Sequence, residues 1–200
     1  MIKNIIFDVG NVLVSFDWET YFKNLGITED VFERVADATV RSSLWNEYDR
    51  SSLSDEELLD GFIKQSPKDE QQIRAVWDNI GKVIACYPYT KTWISELKEK
   101  GYKIYLLSNY PKRTYELTKE ELSFEHQMDG GLFSFEVKHI KPEREIYQAL
   151  MDKYNLVPEE CVFLDDNKNN INAATAFGME GILFTSQEQA IADLKKLNIQ

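Results

Sequence analysis

The sequence predicts an α/β fold: a Rossmann-like, doubly wound parallel sheet with a helical subdomain inserted into it. Several short apolar runs are continuous rather than alternating, as expected of strands buried on both faces of a parallel sheet. Helical patterns separate the later runs, two of them ending at a glycine. One interval, from about residue 17 to about residue 85, carries only amphipathic helical patterns, far more chain than a crossover needs.

In chain order, the first strand is Ile5-Ile6-Phe7, running into Asp8. Helical stretches follow at 18–25, 29–38, 55–65 and 70–83, the third opened by a capping box, Ser54-Asp-Glu-Glu57. Residues 92–101 place Trp93, Ile94 and Leu97 on one helix face, with Gly101 as the stop. The runs 103–109, 161–166 and 181–184 read as further strands, and 145–154 and 170–177 as helices. This gives an α/β core of residues 1–16 and 86–200 and a helical unit of residues 17–85. No internal repeat interrupts the pattern.

Composition narrows the functional classes. Apolar residues at 43% supply an ample core. A net charge of −11 argues against nucleic acid and against an anionic membrane surface, because neither finds the cationic footprint it needs. A small anion is still an acceptable ligand, since local charge and a bound cation govern a site. The two cysteines, Cys86 and Cys161, read as reduced thiols filling the core. The apolar start is broken by Lys3 and Asn4, and no run has the length of a membrane span. A cytoplasmic protein, monomer or homodimer, is expected.

In open parallel sheets, ligands bind at the carboxyl ends of the strands. Those ends carry Asp8, Ser108 with Asn109, and Asp165 with Asp166; Lys141 stands just before a helix. Singly, each has an ordinary explanation. Asp8 and Ser108 suit turns and caps, Lys141 suits an exposed helix start, and Asp-Asp-Asn suits a cap. Together they describe a cation site facing an anion site, and the hard oxygen donors favour Mg²⁺.

The segments FDVGNVL, YLLSN, KPEREIY and FLDDNKNN resemble, in order, the four motifs of the haloacid dehalogenase-like hydrolase superfamily. The resemblance covers nearly the whole chain, and the helical insertion falls where the family places its cap. It implies that Asp8 is a nucleophile that forms an aspartyl-phosphate. Ser108, Asn109 and the backbone around Gly10 and Asn11 would hold phosphoryl oxygens. Lys141 would neutralise charge, and Asp8, Asp165, Asp166 and the Gly10 carbonyl would hold Mg²⁺. The segment from Trp45 to Glu57 is similar to the cap of the sugar-phosphate-type branch with an Asp-x-Gly-Asn-Val motif, Ser51 replacing a glycine. Trp45 and Tyr48 have helical spacing and read first as core, with contact to the substrate as the second reading. His126 and His139 lack partners at ligand spacing and read as peripheral.

Position 10 departs from the family's usual pattern. Most phosphatases of the family carry there a second aspartate that protonates the leaving oxygen, whereas this chain has glycine. Three readings follow. The chain is a phosphatase of small phosphorylated metabolites, sugar phosphates among them, whose acid comes from elsewhere, with Asp17 as the candidate. It is a 2-haloacid dehalogenase using the same nucleophile, or a non-catalytic protein that binds a phosphorylated ligand. The retained acid pair speaks against the second and the full motif set against the third, so the first is the expectation.

Overall fold

The computed structural model describes residues 1–199. Its centre is a five-stranded parallel sheet of β1 (Asn4–Phe7), β4 (Lys103–Ser108), β5 (Gly130–Phe133), β6 (Cys161–Asp165) and β7 (Glu180–Leu183). The order is β5-β4-β1-β6-β7, so β1 is central and the order reverses beside it. Successive residues of β1 enter opposite layers. Ile5 and Phe7 join one apolar cluster and Ile6 the other, as the pleat requires.

The helices α6 (Thr90–Glu99), α7 (Lys112–Leu117), α8 (Ser134–Val137), α9 (Arg144–Tyr154), α10 (Lys168–Phe177) and α11 (Gln187–Lys196) complete the core unit. Trp93, Ile94 and Leu97 of α6 are buried, in agreement with the pattern read from the sequence. So are Ile146, Tyr147, Leu150 and Met151 of α9.

Between residues 17 and 83 the chain forms α1 (Trp18–Asn24), α2 (Glu29–Ala38), α3 (Leu44–Arg50), α4 (Asp55–Gln65) and α5 (Glu70–Asp78). The capping box of α4 is present, Glu57 N–H donating to Ser54 Oγ at 3.2 Å and Ser54 N–H to Glu57 Oε2 at 2.9 Å. Expected helix 70–83 stops at Asp78. There the Asn79 side chain donates to Ala75 C=O at 3.0 Å, competing with the helical backbone, and a 3₁₀ turn, Ile80–Val83, follows.

Among the strands, two features differ from expectation, and α3, α7, α8 and α11 are helices the sequence pattern did not mark. Strand β5 was absent from the sequence reading because its Gly130-Gly131 start lacks an apolar signal. Both glycines are needed for close approach: a Cβ on Gly131 would lie 2.3 Å from Leu106, and one on Gly130 2.4 Å from Tyr154. The second is an antiparallel ribbon of β2 (Val14–Phe16) and β3 (Ile84–Cys86), through which both chain crossings between the two units pass.

Opposite contacts fasten the helical unit to the core. Arg50, the last residue of α3, forms a two-pronged ion pair with Glu143 and donates to Lys138 C=O at 3.1 Å. Ser51 has φ +48°, the left-handed conformation that favours glycine. Its Oγ accepts from Lys112 N–H at 2.9 Å. Hydrogen bonds from Arg50 hold the Glu143 carboxyl at about 2. A depressed carboxylate stabilises the fold above its unfolded value and loses that effect as pH falls through its folded value. Glu143→Gln is therefore expected to lower Tm at pH 7 by roughly 2–4 °C, for a partly exposed pair worth about 1 kcal/mol. The gap should narrow as pH falls below 4.5 toward 2. A gap unchanged at pH 3 would show that the pair contributes nothing.

Candidate active site

Polar residues gather at the carboxyl edge of the sheet because the buried strands end there. Asp8 follows β1, Ser108 ends β4, Asp165 ends β6 with Asp166 next, and Lys141 lies in the loop before α9. Lys141 is the hub. It is 3% exposed, and its Nζ lies 2.7 Å from Asp8 Oδ1 and 2.7 Å from Asp165 Oδ2. Burial disfavours the ammonium, but Asp165 and Asp8 outweigh it and raise Lys141 above its ordinary value, so it stays charged.

Asn109 aims that lysine. Its Oδ1 accepts from Lys141 N–H at 2.7 Å and its Nδ2 donates to Lys141 C=O at 3.0 Å. The amide expected to meet phosphate is therefore already engaged with the main chain. Asp165, fully buried, accepts from Lys141, from Asn167 N–H at 2.7 Å and from Asn170 Nδ2 at 3.0 and 3.1 Å.

Asp8 Oδ1 also accepts from Val9 N–H at 2.7 Å, while Oδ2 has no hydrogen-bond partner among the described residues. Burial pushes this carboxyl above the ordinary range, and Lys141 limits the rise. Asp166 is exposed and accepts from Asn11 Nδ2 at 2.9 Å. Asn11 itself sits at φ +57°, with its N–H donating to Val14 C=O at 2.7 Å, so this expected phosphate donor is spent in the turn. Gly10 N–H and the Ser108 hydroxyl have no such partner among the described residues.

One oxygen each from Asp8, Asp165 and Asp166 lies within 4.8 Å of the others. Three carboxylates against one ammonium leave an excess of two negative charges beneath a cavity of ≈ 210 Å³. An all-oxygen, doubly charged donor set suits a hard divalent cation.

Asp8, Gly10, Asn11, Ser108, Asn109, Lys141 and Asp166 all line that cavity, and Asp165 lies behind them. Asp17 does not line it. Its Oδ1 accepts from Thr20 N–H at 3.0 Å as the N-cap of α1, a bond that lowers its pKa. An exposed carboxylate engaged in a helix cap and absent from the cavity lining is not placed to protonate a leaving group there, so the acid role expected for Asp17 is corrected to a capping one.

From the helical unit, Trp45 and Asp49 line the same cavity, one turn apart on α3. Trp45 packs against the apolar cluster and also lines the cavity, while Tyr48 is core, 1% exposed and paired with Thr114 Oγ1 at 2.7 Å. Burial raises the Asp49 carboxyl to about 8, Lys141 opposing the rise and Asp8 adding to it. Sequence reasoning passed over Asp49, although its spacing from Trp45 was a usable signal. His126 and His139 stand outside the cavity, His139 Nδ1 being 3.4 Å from Glu143.

The chain is similar to known proteins over nearly its whole length. A D-ribitol-5-phosphate phosphatase of Bacteroides thetaiotaomicron is 26% identical over 202 residues, spanning 90% of each chain. A sesquiterpene phosphatase of Aspergillus oryzae is 23% identical over 200 residues, covering 98% of this chain and 96% of that one. A HAD family enzyme of B. thetaiotaomicron, crystallised with magnesium and inorganic phosphate, shares the fold with a TM-score of 0.72. It is 24% identical, covering 94% of this chain and 96% of the other. The model of haloacid dehalogenase-like hydrolases matches residues 2–178. The chain belongs to the haloacid dehalogenase-like hydrolase family.

Proposed function

We propose that the protein is a Mg²⁺-dependent phosphatase of small phosphorylated metabolites, sugar phosphates among them. The observation that carries this is the buried Asp8–Lys141–Asp165 network, which leaves one Asp8 oxygen unheld beside the cavity. A volume of ≈ 210 Å³, below the roughly 300–1,000 Å³ of drug-sized pockets, suits a phosphoryl group on a small leaving group. Relatives named as phosphatases support the same reaction class.

Asp8 attacks phosphorus and forms an aspartyl-phosphate, the covalent route open to a carboxylate. Lys141 offsets charge shared between Asp8 and the phosphoryl group, and the Ser108 hydroxyl and Gly10 N–H donate to phosphoryl oxygens. Asn109 and Asp165 keep Lys141 in place. Magnesium, held by Asp8, Asp166 and the Gly10 carbonyl with Asp165 behind them, would neutralise phosphoryl charge. Water then attacks phosphorus and releases Asp8.

The test is phosphate release from p-nitrophenyl phosphate and a panel of sugar phosphates, with Mg²⁺ or with EDTA. Release with Mg²⁺ and its loss in EDTA are expected. Silence on every substrate would remove the phosphatase reading, and undiminished release in EDTA would remove the metal from it.

A further inference from the structure

Phosphoryl transfer leaves an alkoxide that must take a proton, and Gly10 has none to give. In an in-line displacement the leaving oxygen sits opposite the nucleophile. Asp8 stands on the sheet edge, so the leaving group faces the helical unit. The ionisable carboxyls and amines of the cavity are Asp8, Asp166, Lys141 and Asp49. Asp8 attacks, Lys141 is clamped between two carboxylates, and Asp166 faces the cation site. Asp49 alone has no committed task, and among the described residues no hydrogen bond engages its carboxyl.

Its position is nonetheless held firmly. Ser134 Oγ donates to Asp49 C=O at 2.5 Å, Tyr48 before it bonds Thr114, and Arg50 after it grips Glu143. Three consecutive residues of α3 are thus tied to the core, with Asp49 turned into the cavity.

We propose that Asp49 is the general acid of this reaction, delivering from the cap the proton that position 10 cannot supply. The proposal rests on the phosphatase reading above. As the Asp8–phosphorus bond forms and the bond to the leaving oxygen breaks, that oxygen takes the Asp49 proton and departs as an alcohol. The Asp49 carboxylate then removes a proton from water while the water oxygen bonds phosphorus and the Asp8–phosphorus bond breaks. Both residues return to their starting states. The charged groups facing Asp49 are Asp8, Lys141 and Arg50; burial pushes its carboxyl up, Lys141 and Arg50 oppose the rise and Asp8 adds to it, the direction a proton donor needs.

Two substrates of similar shape read the donor: p-nitrobenzyl phosphate, whose alcohol leaves poorly, and p-nitrophenyl phosphate, whose phenolate leaves well. The value of kcat/KM covers steps through alcohol release and so isolates the first transfer. Asp49→Asn is expected to lower kcat/KM on the benzyl ester by on the order of 10²–10⁴ and on the phenyl ester by less than about tenfold. Equal losses overturn the proposal. The unsubstituted protein gives a second reading that needs no variant. Comparable kcat/KM on the two esters supports a donor. Release from the phenyl ester alone overturns the donor and leaves the phosphatase reading standing. Release from neither, with silence on the sugar phosphates as well, overturns both. If only a sugar phosphate is turned over, Asp49→Asn is expected to lower its kcat/KM by on the order of 10²–10⁴, and an unchanged value overturns the donor alone.

Discussion

Asp8→Asn is expected to abolish phosphate release, by on the order of 10⁴–10⁶ in kcat, as loss of a covalent nucleophile does elsewhere. The side chains are nearly isosteric, so the cavity keeps its shape. The amide offers no carboxylate oxygen to attack phosphorus, and one acceptor of the Lys141 ammonium is replaced by a neutral group. The fold should persist, because removing a carboxylate from a cluster with excess negative charge relieves repulsion. Rapid quench with ³²P-labelled substrate checks the mechanism directly. The unsubstituted protein should carry transient label on Asp8 and the variant none. A variant that retains turnover would sink the aspartyl-phosphate.

Lys141→Met should cost both stability and activity. It removes the one cation between Asp8 and Asp165 at a site where the lysine side chain is 1% exposed. Breaking one partner from a buried pair costs about 3–5 kcal/mol, which for 150–250 residues is roughly 6–20 °C in Tm. The sign of the pH dependence follows from Asp8, whose pKa burial already raises and Lys141 holds down. Without the lysine it rises further. A carboxyl raised in the folded state favours folding at low pH and loses that effect as pH rises through its folded value. The Tm gap between the two proteins should therefore be larger at pH 8 than at pH 5. A gap independent of pH would mean that the carboxylates are relieved in some other way.

The parts of this site that were legible in the sequence are those set by local chemistry. Buried parallel strands must be continuous apolar runs, so β1, β4 and β6 stood out, and the polar residues ending them followed. Ser54 and Glu57 were legible because a capping box is local. Strand β5 was hidden because its first two residues are glycines chosen for what they must not touch. Asn11 and Asn109 were given to phosphate by the resemblance, whereas Asn11 N–H donates to Val14 C=O and the Asn109 amide bonds the Lys141 main chain. Asp17 was the candidate acid because it lies close along the chain to Asp8, and Asp49 was not considered. Distance along the chain says little once a helical unit folds back over a sheet edge, and the acid in the cavity comes from α3.

The order of the sheet bears on how the chain is made. Asp8 follows β1, the earliest strand of this sheet along the chain, yet that strand is central, its partners beginning at Lys103 and Cys161. During vectorial synthesis both edges of β1 stay open until much of the chain has emerged, while the helices of the cap can form from local contacts. A ribosome stalled before Cys161 would therefore present an apolar strand with one bare edge, a template for association with other chains. The central place that buries Asp8 so well in the finished protein leaves one edge of its strand open until β6 has been made.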